Sequence, residues 1–458
     1  MSARDRILMI STHGYVSAEP EFGKPDTGGQ VVYVLELSKC LGRMGYDVDI
    51  MTRQFEDQPA EEPVGDNVRI VRFPCGGHKR FIPKEVLCNN IVEWSDNAIR
   101  FIRENALDYM FVNSHYWDAG LAGQILADQF KVPHFHTPHS IGAWKRDNMD
   151  GDPADLEKKY NFKRRIRDEK VIYDEADAVI ATTPVQREIL GRGEYDVPED
   201  KIYVVPPGYD DTRFFPVSLA SRQMLKTQYG YEGRLVLALG RLARNKGYDL
   251  LLQAMPVVFR RVPDVRLLLA VGSTQLSEGE QVMLQELKDL ARSLKIEDRV
   301  IYHDFIPDEE LADFYRLADV FALCSRYEPF GMTAVEAMAC GTPTVVTTEG
   351  GLWEQVVWGL EALYANPFDP EAYGHAICAI LEHHRVSDQL AKHGSHKARA
   401  RFTWTGIAQQ VLSILHGYRM QPRREWHGQR RPEQRSSAGL PSTISESDLF
   451  GVQSSLQK

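Results

Sequence analysis

The sequence predicts an α/β protein of two successive Rossmann-like domains, each a doubly wound parallel sheet covered by helices. Three observations predict it. At 458 residues the chain exceeds what one hydrophobic core usually supports. Short apolar runs alternate with amphipathic stretches, the pattern of strands buried between helices. The alternation breaks once near the middle and then resumes.

In the first half, ILMIS is read as a strand leading through a loop to a helix from Gly29 to Met44. VDIMT and VRIVRF follow as strands, then a helix from Lys84 to Glu104 and the strand YMFVN. The break is VVPPGYDDTRFFPVS, where paired prolines, a glycine and adjacent aspartates end the periodicity, so a hinge is expected at residues 206–222. The second series begins at Arg234 with LVLALG and runs through VRLLLAV, RVIYHDF, DVFALC and TPTVVT, most of them followed by a helical stretch. The expected domains are residues 1–215 and 216–403. From Trp404 to Tyr418, apolar Ile407, Val411, Ile414, Leu415 and Tyr418 share one helical face, so a helix over 404–420 is expected to cross back to the first domain. Residues 421–458 hold few apolar side chains and many Arg, Ser, Gln and Pro, so they are read as a disordered tail.

Bulk composition narrows the function classes. Hydrophobic residues at 43% and charged residues at 26% are ordinary for a globular protein, which confines disorder to local segments. A net charge of -10 opposes a general nucleic-acid or membrane surface, because such surfaces attract phosphates with a basic field. Any phosphate must then be held by a local cluster. Cys40, Cys75, Cys88, Cys324, Cys340 and Cys378 form no CxxC pair and read as small core residues in a reduced setting. The opening apolar run ILMI is too short for a signal core, and no stretch approaches a membrane span, so a cytoplasmic location is expected.

Four segments carry candidate chemistry. DTGGQVVYV, at residues 26–34, puts adjacent glycines at the opening of a helix, where backbone can approach a ligand closely. Alone, those glycines fit a tight turn into a helix better than a ligand site, and they lack the GxGxxG dinucleotide pattern. SRYEPFGMTAVEAMACGTPTVVTTEGG, at 325–351, is more informative. Glu328 follows a strand and Glu336 lies about one turn into the next helix, while Phe330, Gly331 and Met332 would offer backbone N–H groups at that helix start. A solvated glutamate on a capped helix explains Glu336, but not a carboxylate preceding an aromatic flanked by Pro329 and Gly331.

The third segment, ALGRLARNKGYDLLLQA at 238–254, places Arg241 and Lys246 after the first strand of the second series, where cations can neutralise a departing diphosphate. The fourth is dispersed: FIPKE, NSHYWDAG, TPHSIGAWK and FKRRI contribute Lys84, Lys145, Arg164 and Arg165, enough positive charge for a sugar phosphate. A solvated basic face fits these residues as well. His115, His134, His136 and His139 lack the spacing of a closed zinc site, so hydrogen bonding is the expected role and no metal ligand is assigned.

Taken in order over roughly residues 5–420, the DTGGQ loop, the Arg241/Lys246 pair and YEPFGMTAVEAMACG resemble the retaining glycosyltransferases of family 4, the group that includes sucrose-phosphate synthase. That resemblance implies the GT-B architecture, with two domains facing a central cleft. Within the group, stretches such as NSHYWDAG, TPHSIGAWK and PPGYDDTRFFPVS look most like the branch that transfers mannose from GDP-mannose to fructose 6-phosphate. Transfer of glucose from UDP-glucose to the same acceptor is the alternative.

Carried over motif by motif, the resemblance implies that Glu328 holds donor-sugar hydroxyls, that Phe330, Gly331, Met332 and Thr333 meet the sugar and diphosphate through backbone, and that Glu336 holds the ribose. Arg241 and Lys246 would stabilise the leaving diphosphate, with Gly29 and Gln30 closing over the reaction centre. Lys84, Tyr116, Ser140, Lys145 and Arg165 would bind the acceptor phosphate, with His139 beside the anomeric carbon. No DxD pair is placed to bridge a metal to a diphosphate, so Mg2+ or Mn2+ would enter through the resemblance alone. A phosphorylase would need a lysine-bound pyridoxal phosphate, and an epimerase would need no acceptor site; a non-catalytic sugar-nucleotide sensor shares the fold class.

Overall fold

The computed structural model describes residues 5–20, 26–77, 80–149, 151–271, 276–303 and 305–420. The expected tail at 421–458 lies outside them. Strands β1 (Arg6–Ile10), β2 (Asp47–Gln54), β3 (Glu61–Gly65), β4 (Val68–Pro74), β5 (Val112–His115), β6 (His134–Thr137), β7 (Ala178–Ala181) and β8 (Ile202–Val204) form one sheet, ordered β3-β4-β2-β1-β5-β6-β7-β8. A second sheet holds β9 (Arg234–Gly240), β10 (Val265–Val271), β11 (Val300–His303), β12 (Val320–Leu323), β13 (Thr344–Thr347) and β14 (Leu363–Ala365), ordered β11-β10-β9-β12-β13-β14.

Apolar runs become strands because helices cover both faces of each sheet. On β10, Val265, Leu267 and Leu269 face a cluster with Leu251, Met255 and Ile377, while Leu268 and Ala270 face another with Phe314, Phe321 and Met338. Each such side chain, fully buried, contributes about 1.5–3 kcal/mol relative to exposure. All six cysteines are buried free thiols.

Two elements depart from the sequence reading. Strand β3 pairs antiparallel with β4, so the first sheet is not purely parallel. Only Asp66 and Asn67 separate the two strands, too few residues for a crossover, and Pro63 with the half-exposed glutamates suits a sheet edge. The helix expected over 84–104 is interrupted: helix Lys84–Leu87, a 3-10 turn at Cys88–Asn90, then helix Ile91–Glu104. Asn89 and Asn90 sit at that break, and asparagine side chains compete with helical hydrogen bonding.

Strand order reverses between β1 and β5 in the first sheet and between β9 and β12 in the second. Such reversals splay the following loops apart at the carboxyl ends of the strands and leave a crevice. His13, His115 and Tyr116 follow the first pair; Arg241 and Ser325–Glu328 follow the second.

The chain passes twice between the sheets at one place. Tyr209 N–H donates to Phe402 O at 2.7 Å, and a side chain on Gly208 would meet the Trp404 ring at 2.5 Å. Trp404, opening the helix Trp404–Met420, in turn stands edge-on to Tyr33 of the helix Gly29–Arg43, with ring centroids 5.3 Å apart.

Strands β5 and β6 bury three neutral imidazoles. Ser114 Oγ lies 2.7 Å from His134 Nε2 and 2.8 Å from His136 Nδ1, and His115 Nδ1 lies 2.9 Å from His139 Nε2. Burial pushes His134 down to about 3 and holds His115 and His136 well below the ordinary histidine value. The unfolded chain therefore takes up protons below about pH 6.5 that the folded chain refuses, so stability is full above that pH and falls as pH drops toward 3. Urea unfolding at stepped pH should show a decline of up to about 1.4 kcal/mol per pH unit for each such histidine. His134→Asn should make that decline shallower by one proton; an unchanged slope would remove His134 from the cause.

Candidate functional site

In the second half, the turn after β9 delivers Lys246 to Glu328, Nζ to Oε2 at 2.6 Å, with Ser325 Oγ donating to the same oxygen at 3.2 Å. Gly247 makes this turn possible. It adopts φ +66°, and a side chain there would collide with the Cys324 carbonyl oxygen at the end of β12. The backbone of Glu328 is clamped as well: its N–H donates to Glu349 O at 3.0 Å and its carbonyl accepts from Gly351 N–H at 3.2 Å. Arg241 is exposed, yet both Arg241 and Glu328 act electrostatically on the buried Tyr248 hydroxyl, so the three groups share one neighbourhood.

The helix Met332–Ala339 starts at Gly331, whose φ of +109° turns the chain out of the Glu328 loop. Its first N–H groups, from Met332 and Thr333, precede any intrahelical acceptor and supply the positive end of the helix. Phe330 is buried, its ring packed edge-on against Phe402, centroids 5.6 Å apart. One turn on, Glu336 Oε2 accepts from Tyr315 Oη at 2.7 Å. Burial pushes the Glu336 carboxyl up to about 7, against the opposing pull of Tyr315 and Arg213.

The first half supplies a cationic group. Lys84 is ion-paired with Asp26, the residue that opens the DTGG loop. Burial opposes ionisation of Asp26, but the Lys84 ammonium holds its carboxyl below the usual value. Arg165 is 3% exposed; Nη1 donates to Tyr116 Oη at 2.9 Å and Nη2 to Ser140 O at 2.6 Å. Lys145 rests over the Tyr160 ring at 4.3 Å, and burial, with repulsion from Arg165 and Lys84, pushes its ammonium down to about 8. Lys84 and Arg165 thus both lie close enough to Lys145 to repel its charge. Arg164, counted with them in the sequence, turns instead to Asn89 and Asp168.

His139, at φ +58°, follows β6 with its ring edge-on to Tyr33 at 4.8 Å, and burial pushes it down to about 3, a neutral imidazole. Gln30 Nε2 donates to Ser11 Oγ at 3.2 Å and to His115 O at 3.3 Å. The two halves meet here: a side chain built on Gly29 would lie 3.6 Å from Met332 Sδ. The halves meet also where Trp144 stands edge-on to Tyr327, centroids 4.8 Å apart.

Sequence reasoning missed three residues. His13 donates through Nδ1 to Asp118 Oδ2 at 2.9 Å, packs on Tyr116 at 4.7 Å, and acts electrostatically on both Asp26 and His139. Its place just past β1, at the strand-order reversal, is the signal that could have found it. Tyr315 and Glu169, partners of Glu336 and Arg165, carry no comparable signal. Among the described residues, no group of three His, Cys, Asp or Glu side chains fits a metal ion, and no step is assigned to one. No described helix is long and apolar enough to cross a membrane. A surface cavity of about 520 Å³ is lined by Trp144, Arg146, Arg192 and Tyr195.

Gly247→Ala should cost about 1–3 kcal/mol of stability and reduce turnover, since it strains the turn that aims Lys246. Thermal unfolding beside steady-state rates measures this; wild-type values in both would show that the turn accommodates a side chain.

Known proteins resemble this chain over most of its length. The family model for "Glycosyltransferase Family 4" matches residues 27–213, and that for "Glycosyl transferases group 1" matches residues 225–397. The chain is 54% identical over 421 residues to the mannosylfructose-phosphate synthase of Agrobacterium fabrum (strain C58), covering 91% of this chain and 92% of that one. It is 32% identical over 440 residues to the D-inositol 3-phosphate glycosyltransferase of Corynebacterium urealyticum, covering 95% and 99%. Among solved structures, sucrose-phosphate synthase from Thermosynechococcus elongatus matches with a TM-score of 0.78 at 29% identity, covering 90% of this chain and 99% of that one. With two parallel-stranded α/β lobes carrying these motifs in order, the chain belongs to the family 4 glycosyltransferases of the GT-B fold.

Proposed function

We propose that this glycosyltransferase moves mannose from GDP-mannose to fructose 6-phosphate with retention, forming mannosylfructose 6-phosphate and GDP. Residues 216–403 act as the donor domain and 1–215 as the acceptor domain. The observation that carries the reading is the meeting of two charged groups across one contact: the Lys246–Glu328 pair lies with Met332 on one side, and the Lys84, Lys145 and Arg165 cluster lies with Gly29 on the other. Identity of 54% to a mannosylfructose-phosphate synthase supports the mannose donor. Glucose transfer from UDP-glucose is the second reading, favoured by the likeness to sucrose-phosphate synthase.

In this mechanism the diphosphate draws Lys246 and Arg241, the helix start at Met332 and Thr333 receives its oxygens, and Glu328 takes sugar hydroxyls. Glu336 receives the ribose. The bond from the anomeric carbon to phosphate oxygen breaks while the acceptor hydroxyl bonds to the same face, its proton passing to the leaving phosphate. Glu328, engaged by Lys246 and Ser325, is a poor nucleophile, so no covalent intermediate is required. Neutral His139 presents a hydrogen bond rather than a charge near the anomeric carbon, while Tyr116, Ser140 and Gln30 complete the acceptor side.

An assay crossing GDP-mannose, UDP-glucose and ADP-glucose with fructose 6-phosphate and free fructose tests the reading through nucleotide release. Turnover only with GDP-mannose and the phosphorylated acceptor is expected; preference for UDP-glucose would replace it with the second reading. Glu328→Ala should abolish most turnover in a folded protein, and Lys84→Ala should mainly raise the acceptor KM.

The pH dependence should differ between the two substrates. Lys145 loses its charge above about pH 8, so acceptor KM should rise there, whereas ionisation of Glu336 through about pH 7 should lower donor KM from pH 6 to 8. Glu336→Gln should flatten the donor profile alone. Identical profiles for both substrates would contradict these assignments.

A further inference from the structure

We infer that Glu169 is the positioning residue of the acceptor side, aiming both Arg165 and Lys145 at one phosphate; this rests on the acceptor reading above. Glu169 is 1% exposed and belongs to the helix Phe162–Glu175. Its Oε1 accepts from Arg165 Nε at 2.7 Å, one turn earlier on the same helix. Its Oε2 accepts from Gly142 N–H at 2.9 Å and from Tyr195 Oη at 2.5 Å. Tyr195 Oη in turn accepts from Ala143 N–H at 3.0 Å.

These bonds, together with that of Arg165 to Ser140, join two elements. Gly142 and Ala143 open the helix Gly142–Asp147, which carries Lys145. A side chain on Gly142 would lie 2.8 Å from Glu169 Oε2, so the helix start is pressed directly onto the carboxylate. Arg165 meanwhile spends Nε on Glu169, Nη1 on Tyr116 and Nη2 on the Ser140 carbonyl and hydroxyl. A guanidinium has five N–H groups in a rigid fork, so this fixes its plane and leaves one Nη1 N–H among the described residues for a ligand. Glu169 touches no substrate in this scheme. It sets where the positive charge points.

The consequence is selectivity for a phosphorylated acceptor, and the test separates it from a merely structural role. Tyr195→Phe removes one hydrogen bond to the carboxylate and should raise the KM for fructose 6-phosphate roughly threefold to tenfold. Glu169→Gln should raise it by on the order of thirtyfold, the loss of a charged hydrogen bond, with Glu169→Asp recovering part. In each variant kcat and the GDP-mannose KM should stay at wild-type values, and KM for free fructose, if measurable, should not move. Lys84→Ala is run beside them. If it raises acceptor KM while Tyr195→Phe and Glu169→Gln do not, the role of Glu169 is refuted; if none of the three does, the acceptor reading itself fails. A parallel loss in kcat and both KM values for Tyr195→Phe would show general support of the fold and overturn the inference. Should Glu169→Gln not fold, Tyr195→Phe alone decides.

Discussion

A carboxylate and an ammonium held 2.6 Å apart at the carboxyl edge of the second sheet set demands that the surrounding structure has to meet. Withdrawing both charges from water costs several kcal/mol each, so the pair persists only with close geometry and further hydrogen bonds. Ser325 supplies one such bond, the backbone clamp of Glu328 fixes the acid, and Gly247 brings the base around a corner that no other residue turns easily. Neutralised by each other, the two groups ask little of the solvent when no ligand is bound. An anionic donor has a direct electrostatic claim on Lys246, while sugar hydroxyls can replace the ammonium at Glu328.

The first lobe solves the same problem differently. Its cations lie on three separate elements, and two are balanced locally, Lys84 by Asp26 and Arg165 by Glu169. Among the described residues no acid is ion-paired with Lys145, which takes an aromatic face instead, and burial pushes its ammonium down. Balanced cations avoid mutual repulsion in a chain whose overall charge is already strongly negative. They also let a phosphate be recognised without a basic surface that would attract every polyanion.

Much of this was legible in the sequence because parallel strands between helices leave unbroken apolar runs, and because Gly247 and Gly331 mark turns that few other residues accept. Lys246 and Glu328 could each be named from their loops, yet 82 residues separate them, and only the fold shows that they touch. Strand β3 escaped because a short, charged edge strand lacks an apolar signature, and the break at Cys88–Asn90 because the flanking segments keep helical periodicity. Glu169 carries no motif of its own in a highly charged segment, and charge counting by itself did not separate Arg164 from Arg165, of which the structure turns only the second inward. Neighbouring positions on a helix differ by about 100° in direction, which charge counting does not register.

The side-by-side passage of Tyr209 and Phe402 has a mechanical meaning. Two ropes tied at adjacent points let a gate swing but resist its twisting or sliding, because every permitted displacement must leave the tied points together. Any rotation of one lobe against the other would leave those tied points together, and groups distant from them would travel farthest for a given angle. The chain's return to its own first lobe thus works as a bearing, built from the same backbone bond that fastens two strands of a sheet.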